Sequence, residues 1–218
     1  MPDGKELNGV LFKSKASKGL IFYLHGNGGS ISSWSGVSKV YTSLGYDLFL
    51  LDYRGYGKSE GKITSETQLH EDVQAVFNKV CSQYRDKKII VLGYSLGTCL
   101  AARLSANNRT DMLILQAPYY SMTDMMKDHY KILPPFILRY KLDTYKYVQQ
   151  CSCPIVIFHG DKDKLVSYES SLKLKKYLKD TDTLIRLRGL GHNRITFDEQ
   201  YTSALQEILS KDPALVTQ

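Results

Sequence analysis

The stretch Lys88-Ile89-Ile90-Val91-Leu92-Gly93-Tyr94-Ser95-Leu96-Gly97-Thr98-Cys99-Leu100-Ala101-Ala102-Arg103-Leu104 decides the fold. It opens on an apolar run of strand length and closes on residues that favour a helix. Between the two stands Ser95 with a glycine two residues away on either side, so the chain turns from strand to helix around it. Side chains at 93 and 97 would collide with the neighbouring strand and helix in so tight a turn, which gives the glycines a mechanical reason. The Ser95 hydroxyl is thereby thrust out beyond the sheet, as in a nucleophile elbow.

Working outward, further strand-length apolar runs fall at 7–12, 20–24, 47–51, 112–115, 155–158 and 184–187. Helical patterns lie between them, at 33–44, 65–84, 96–106, 168–178 and 197–209. This alternation predicts an α/β fold: a mainly parallel, doubly wound sheet with helices on both faces. The helix starting near Thr64 shows its entry chemistry, since Thr64 or Ser65 can cap the free amides and Glu66 places a negative charge in the first turn. Residues 119–150 break the pattern. They follow a strand yet carry Pro134-Pro135 and a mixture of Met, Tyr and Leu without a clean period, which predicts a small cap insertion over one sheet edge.

The chain has 218 residues, 43% hydrophobic and 23% charged, enough for one well-buried core, so a single domain over 1–218 is expected. No segment approaches the roughly 18 to 20 apolar residues of a membrane span, and the start Met1-Pro2-Asp3-Gly4-Lys5 lacks the apolar core of a signal peptide. The net charge of +7 is scattered rather than run together, which argues against nucleic acid as a partner. Cys81, Cys99, Cys151 and Cys153 form neither a CxxC pair nor a zinc-site spacing, so they read as reduced thiols and no metal or cofactor is expected. The run Gly55-Tyr56-Gly57-Lys58-Ser59 invites comparison with a phosphate-binding loop, but Asp52 stands where that loop needs glycine.

A serine hydroxyl needs a base to take its proton and an acid to orient that base. On this architecture the two follow the serine in the order acid, then histidine, each in a loop after a later strand. Of His25, His70, His129, His159 and His192, only His192 lies beyond the last acid-bearing loop, in Gly189-Leu190-Gly191-His192-Asn193. The acid belongs after the strand at 155–158, in His159-Gly160-Asp161-Lys162-Asp163-Lys164-Leu165-Val166, where Asp161 and Asp163 compete. The oxyanion of an acyl-transfer intermediate needs N–H donors. The Leu96 amide, at the start of the helix after Ser95, supplies one with help from the helix dipole.

Taken together, these residues resemble the α/β-hydrolases. The matching signals are His25-Gly26, the run Asp52-Tyr53-Arg54-Gly55-Tyr56-Gly57-Lys58-Ser59, the elbow, the loop from His159 to Val166, and Gly191-His192; the likeness covers roughly residues 3 to 210. It implies Asp163 as the acid with Val166 packed behind it, Asp161 as a turn-former, and Asn27 as the second oxyanion donor. It also implies loop-fixing roles for His25 and His159. Arg54 is read as structural. Within the superfamily the chain is similar to the serine-aminopeptidase-like and monoacylglycerol-lipase-like branch, and also to depalmitoylating thioesterases with small caps. One departure is that a single strand precedes the one at 20–24, where such proteins commonly have two or three. The chain as it stands reads as cytoplasmic; a missing N-terminal anchor or signal would make it membrane-bound or exported.

The expected activity is cleavage of carboxylic esters or thioesters through an acyl-enzyme on Ser95, with a small-molecule or acyl-group substrate. Tyr119, Met122, Met126 and Phe136 are the candidate substrate contacts, if the insertion folds over Ser95; the alternative is that they pack into the core. Two other readings stand beside it: a peptidase or amidase using the same residues, and a hydrolase-fold binding protein without turnover. The sequence does not fix the oligomeric state.

Overall fold

The computed structural model describes residues 1–129 and 138–210. Its strands are β1 (Gly9–Phe12), β2 (Gly19–Leu24), β3 (Tyr46–Leu51), β4 (Lys88–Tyr94), β5 (Met112–Gln116), β6 (Ile155–Gly160) and β7 (Thr183–Leu187). They form one seven-stranded sheet in the order β1-β3-β2-β4-β5-β6-β7. Only β1 runs antiparallel to its neighbour; every other pairing is parallel.

Successive side chains of a strand point to opposite faces, and a parallel sheet is covered on both, so its strands read as unbroken apolar runs. Here Leu20, Phe22 and Leu24 of β2, Leu113 and Leu115 of β5, and Ile155 and Ile157 of β6 enter one core. Their neighbours Ile21, Tyr23, Ile114, Val156 and Phe158 enter the other. The first core is closed by α3 (Glu66–Cys81), α4 (Gly97–Asn107), α6 (Thr144–Val148) and α7 (Tyr168–Lys175), and the second by α1 (Ile31–Trp34), α2 (Ser38–Ser43) and α8 (Glu199–Ser210).

The helix expected over 33–44 is interrupted. α1 starts two residues earlier on a Ser30–Ser33 capping box, and a 3-10 turn at Ser35–Val37 separates it from α2. Gly36 and the serines around it weaken a continuous helix, and burying Ile31, Val37 and Tyr41 together compensates for the break. The insertion between β5 and β6 contains α5 (Met122–His129) and α6, neither of which the mixed pattern predicted.

Because β2, β4, β5, β6 and β7 are parallel, the loops after them emerge along one edge of the sheet. Ligand-binding residues of open α/β sheets gather at that edge.

Candidate active site

The elbow joins β4 to α4 at very close quarters. A Cβ at 97 would fall on the Leu24 carbonyl, and one at 93 would press on the Gly97 carbonyl and the Ala101 methyl. Ser95 itself sits at φ +48°, a left-handed conformation that a residue with a side chain adopts only at a cost. Its surroundings hold it there. The Ser95 amide donates to the Gln116 carbonyl at 2.9 Å, and the Ser95 carbonyl accepts from the Thr98 amide at 2.9 Å and the Thr98 hydroxyl at 2.6 Å.

The loop after β7 brings His192 Nε2 to 3.0 Å from Ser95 Oγ. The loop after β6 brings Asp163 Oδ2 to 2.7 Å from His192 Nδ1. The other Asp163 oxygen accepts the amides of Leu165 and Val166, each at 2.8 Å. Burial opposes the Asp163 charge, but hydrogen bonds from His159 and His192, the charge of His192 and the Val166 amide outweigh it and hold the carboxyl well below the usual carboxylate range. His159 Nε2 points its N–H between the Val166 carbonyl at 2.9 Å and Asp163 Oδ2 at 3.3 Å, and its Nδ1 accepts from Ser171 Oγ at 2.6 Å.

Asp161 faces elsewhere. Its carboxylate accepts from Arg186 Nε at 2.9 Å and from the Gly189 amide at 2.7 Å, pinning the exit of β7. Arg54 is buried and bound through its guanidinium to Asp72 and Asp3. His25 is fully buried, its Nδ1 donating to the Gly26 carbonyl at 2.8 Å. The four cysteines are free and buried.

The Leu96 amide opens α4, and Asn27 lies on the loop after β2, its side-chain carbonyl accepting the Tyr56 hydroxyl at 2.7 Å. Among the described residues neither backbone amide donates to another group of the chain. In the insertion, Tyr119 is 1% exposed, part of the core, and donates its hydroxyl to the Leu96 carbonyl at 3.2 Å. Met126 is also buried, Met122 is half-buried against the same core as Tyr119, and Phe136 lies outside the described residues.

Three supporting residues escaped the sequence reading. Gln116 ends β5; besides holding the Ser95 amide, its side-chain carbonyl accepts the Thr196 hydroxyl at 3.2 Å. Tyr94 donates its hydroxyl to the His192 carbonyl. Ser171, on α7, anchors His159. A polar residue closing an apolar strand was a signal for Gln116; nothing local marks Ser171. Among the described residues no group of three or more His, Cys, Asp or Glu is placed to hold a metal ion, and no helix is long and apolar enough to cross a membrane.

A mostly parallel sheet with a serine elbow after one central strand, and a carboxylate and a histidine in the loops after two later ones, is the architecture of the α/β-hydrolase superfamily. Within it the chain belongs to the family described as "Serine aminopeptidase, S33", which matches residues 15–145. It is 31% identical over 183 residues to "Lysophosphatidylserine lipase ABHD12" of Danio rerio, covering 73% of this chain and 47% of that protein. It is 27% identical over 208 residues to "Alpha/beta hydrolase domain-containing protein 17B" of Homo sapiens, covering 91% and 69%. The chain thus spans about half the length of the curated lipases it matches. Among solved structures, Est1E from Butyrivibrio proteoclasticus superposes with a TM-score of 0.76 at 20% identity, covering 95% of this chain and 94% of that one. A monoacylglycerol lipase of Paleococcus ferrophilus gives 0.71 at 17% identity, covering 94% and 98%.

Proposed function

We propose that this chain is a serine hydrolase of carboxylic esters or thioesters, built as one domain with a small cap at about 119–150. The observation that carries the reading is the unbroken chain of hydrogen bonds from Asp163 through His192 to Ser95, at 2.7 and 3.0 Å. Ser95 Oγ bonds to the acyl carbon while its proton passes to His192 Nε2; that proton then goes to the alkoxide or thiolate as the carbon–leaving-group bond breaks. Water attacks the acyl-enzyme in the second half, giving a proton to His192, which returns it to Ser95 as the acid departs. Asp163 fixes the tautomer of His192 and offsets its positive charge. The amides of Leu96 and Asn27 receive the oxyanion.

The names of the relatives, lipase and esterase, favour esters. The family description favours an aminopeptidase instead, which would need a carboxylate to meet the substrate ammonium group. Around the insertion, however, Asp124 is bound to Lys173, Asp143 to Lys146, and Glu66 to the amides of Lys141 and Leu142, which among the described residues leaves the single exposed Asp128 rather than a cluster of carboxylates. A chain-length series of p-nitrophenyl esters and matching thioesters, run beside aminoacyl anilides, tests the reading. Esters or thioesters are expected to turn over faster than anilides, and Ser95→Ala to lose several powers of ten in kcat. A clear preference for anilides would replace the esterase reading with the peptidase one.

A further inference from the structure

A cleft of about 350 Å³ is lined by the chain neighbours of the site residues, Tyr94 before Ser95, Asn193 after His192 and Gly28 after Asn27, on the sheet face opposite the insertion. Its lining is largely apolar, from Trp34, Val37, Tyr94 and Phe197, with Arg194 and Thr196 as polar members. Val37 and Tyr94 belong to the core closed by α1, α2 and α8, whereas Tyr119 and Met122 pack on the other core. The cleft and the insertion therefore flank the nucleophile from two sides.

The Trp34 side of the cleft is held in place. Trp34 donates its Nε1–H to the Gly28 carbonyl at 3.2 Å and meets the Tyr94 ring edge-on at 5.2 Å. Phe197 is 53% exposed, an unusual state for so large an apolar ring, and it reaches across to Gly36, where a Cβ would touch it at 3.8 Å. The ring thus closes the outer side of the cleft from the loop that carries His192.

The direction of proton transfer says which half of a substrate this cleft faces. His192 Nε2 takes the Ser95 proton and must hand it to the leaving atom, so that atom lies on the His192 side of the acyl carbon. The cleft opens along that side, between the residues following His192 and the loop bearing Asn27. We infer that it is the leaving-group subsite, receiving an alcohol or thiol with an apolar body between Trp34 and Phe197. The acyl half then lies towards the insertion. This inference rests on Ser95, His192 and Asp163 acting as proposed above.

The test compares kcat/KM across two ester series: butyrates of ethyl, butyl and benzyl alcohol, and ethyl esters of increasing acyl length. The wild-type protein should favour the benzyl butyrate over the ethyl one. Phe197→Ala should lower benzyl butyrate cleavage by about tenfold and the ethyl ester by less than about twofold, the scale of a lost apolar wall. Phe197→Trp, which narrows the cleft, should shift preference towards the smaller alcohols. Neither variant should move the acyl-length optimum. A shifted acyl optimum, or an equal loss across all alcohols in both variants, would overturn the assignment. Fluorophosphonate labelling separates the two levels: normal labelling at Ser95 with alcohol-independent rates refutes the cleft alone, whereas no labelling and no ester turnover in the wild type refutes the nucleophile and the cleft with it.

Discussion

Asp161 and Asp163 stand two residues apart in one loop, yet the backbone sends their side chains to different tasks. Asp163 Oδ2 meets His192 at 2.7 Å, while Asp161 meets Arg186 and the Gly189 amide. Asp163→Asn should therefore cut kcat by about 10⁴-fold, because the amide favours the wrong imidazole tautomer. Asp161→Asn should change kcat by less than about threefold, because the amide oxygen can still accept the Gly189 N–H and only the pair with the solvent-facing Arg186 is lost. Steady-state kinetics of the two variants on one ester checks this, and the reverse pattern would move the acid to Asp161. The site was legible at this scale because a hydrolase needs few residue types in a fixed order. What stayed hidden were residues acting through the backbone or through a second side chain: the Gln116 carbonyl under Ser95, and Ser171 behind His159.

At the scale of elements, the strands were the most legible part, since β2 to β6 are buried on both faces and each holds an apolar run, although β4, β5 and β6 extend one or two residues beyond it. The helices were less so. α1 and α2 were merged because a periodic pattern does not register a 3-10 turn, and α5 and α6 are too short for their period to emerge beside Pro134-Pro135. α3 carries a feature that only packing reveals. His70 is buried between α3, α4 and α6, with the Tyr147 ring edge-on at 5.8 Å, Glu66 at 3.7 Å and no hydrogen-bond partner for Nε2. Burial, with the nearby charge of Arg103, lowers its pKa to about 3 from an ordinary 6.5. The unfolded chain thus binds a proton at a pH where the folded one does not. His70 costs nothing above pH 6.5, and stability falls by about 1.4 kcal/mol per pH unit as the pH drops from there towards 3. His70→Phe should accordingly be less sensitive than the wild-type protein by about 2 kcal/mol between pH 6.5 and 5, read from urea midpoints. Equal slopes in the two proteins would show that His70 is protonated in the fold.

Across the whole molecule, three loops separated by up to about a hundred residues converge because parallel strands deliver their C-terminal ends to one edge. The order of strands, β2-β4-β5-β6-β7, sets Ser95 near the middle of that edge, with the insertion following β5 on one side and the cleft at Trp34 on the other sheet face. The sequence order of serine, acid and histidine announced the convergence, whereas the cleft on the second side depends on distant residues meeting and has no local signature. The proposed mechanism passes an acyl group through Ser95. Its most direct test is to mix the protein with a p-nitrophenyl ester, quench before steady state, and locate the added mass by peptide mapping. An acyl adduct is expected on the peptide containing Ser95, formed with the first release of p-nitrophenolate and missing from Ser95→Ala. Undiminished turnover by Ser95→Ala, or an adduct on a different residue, would contradict it.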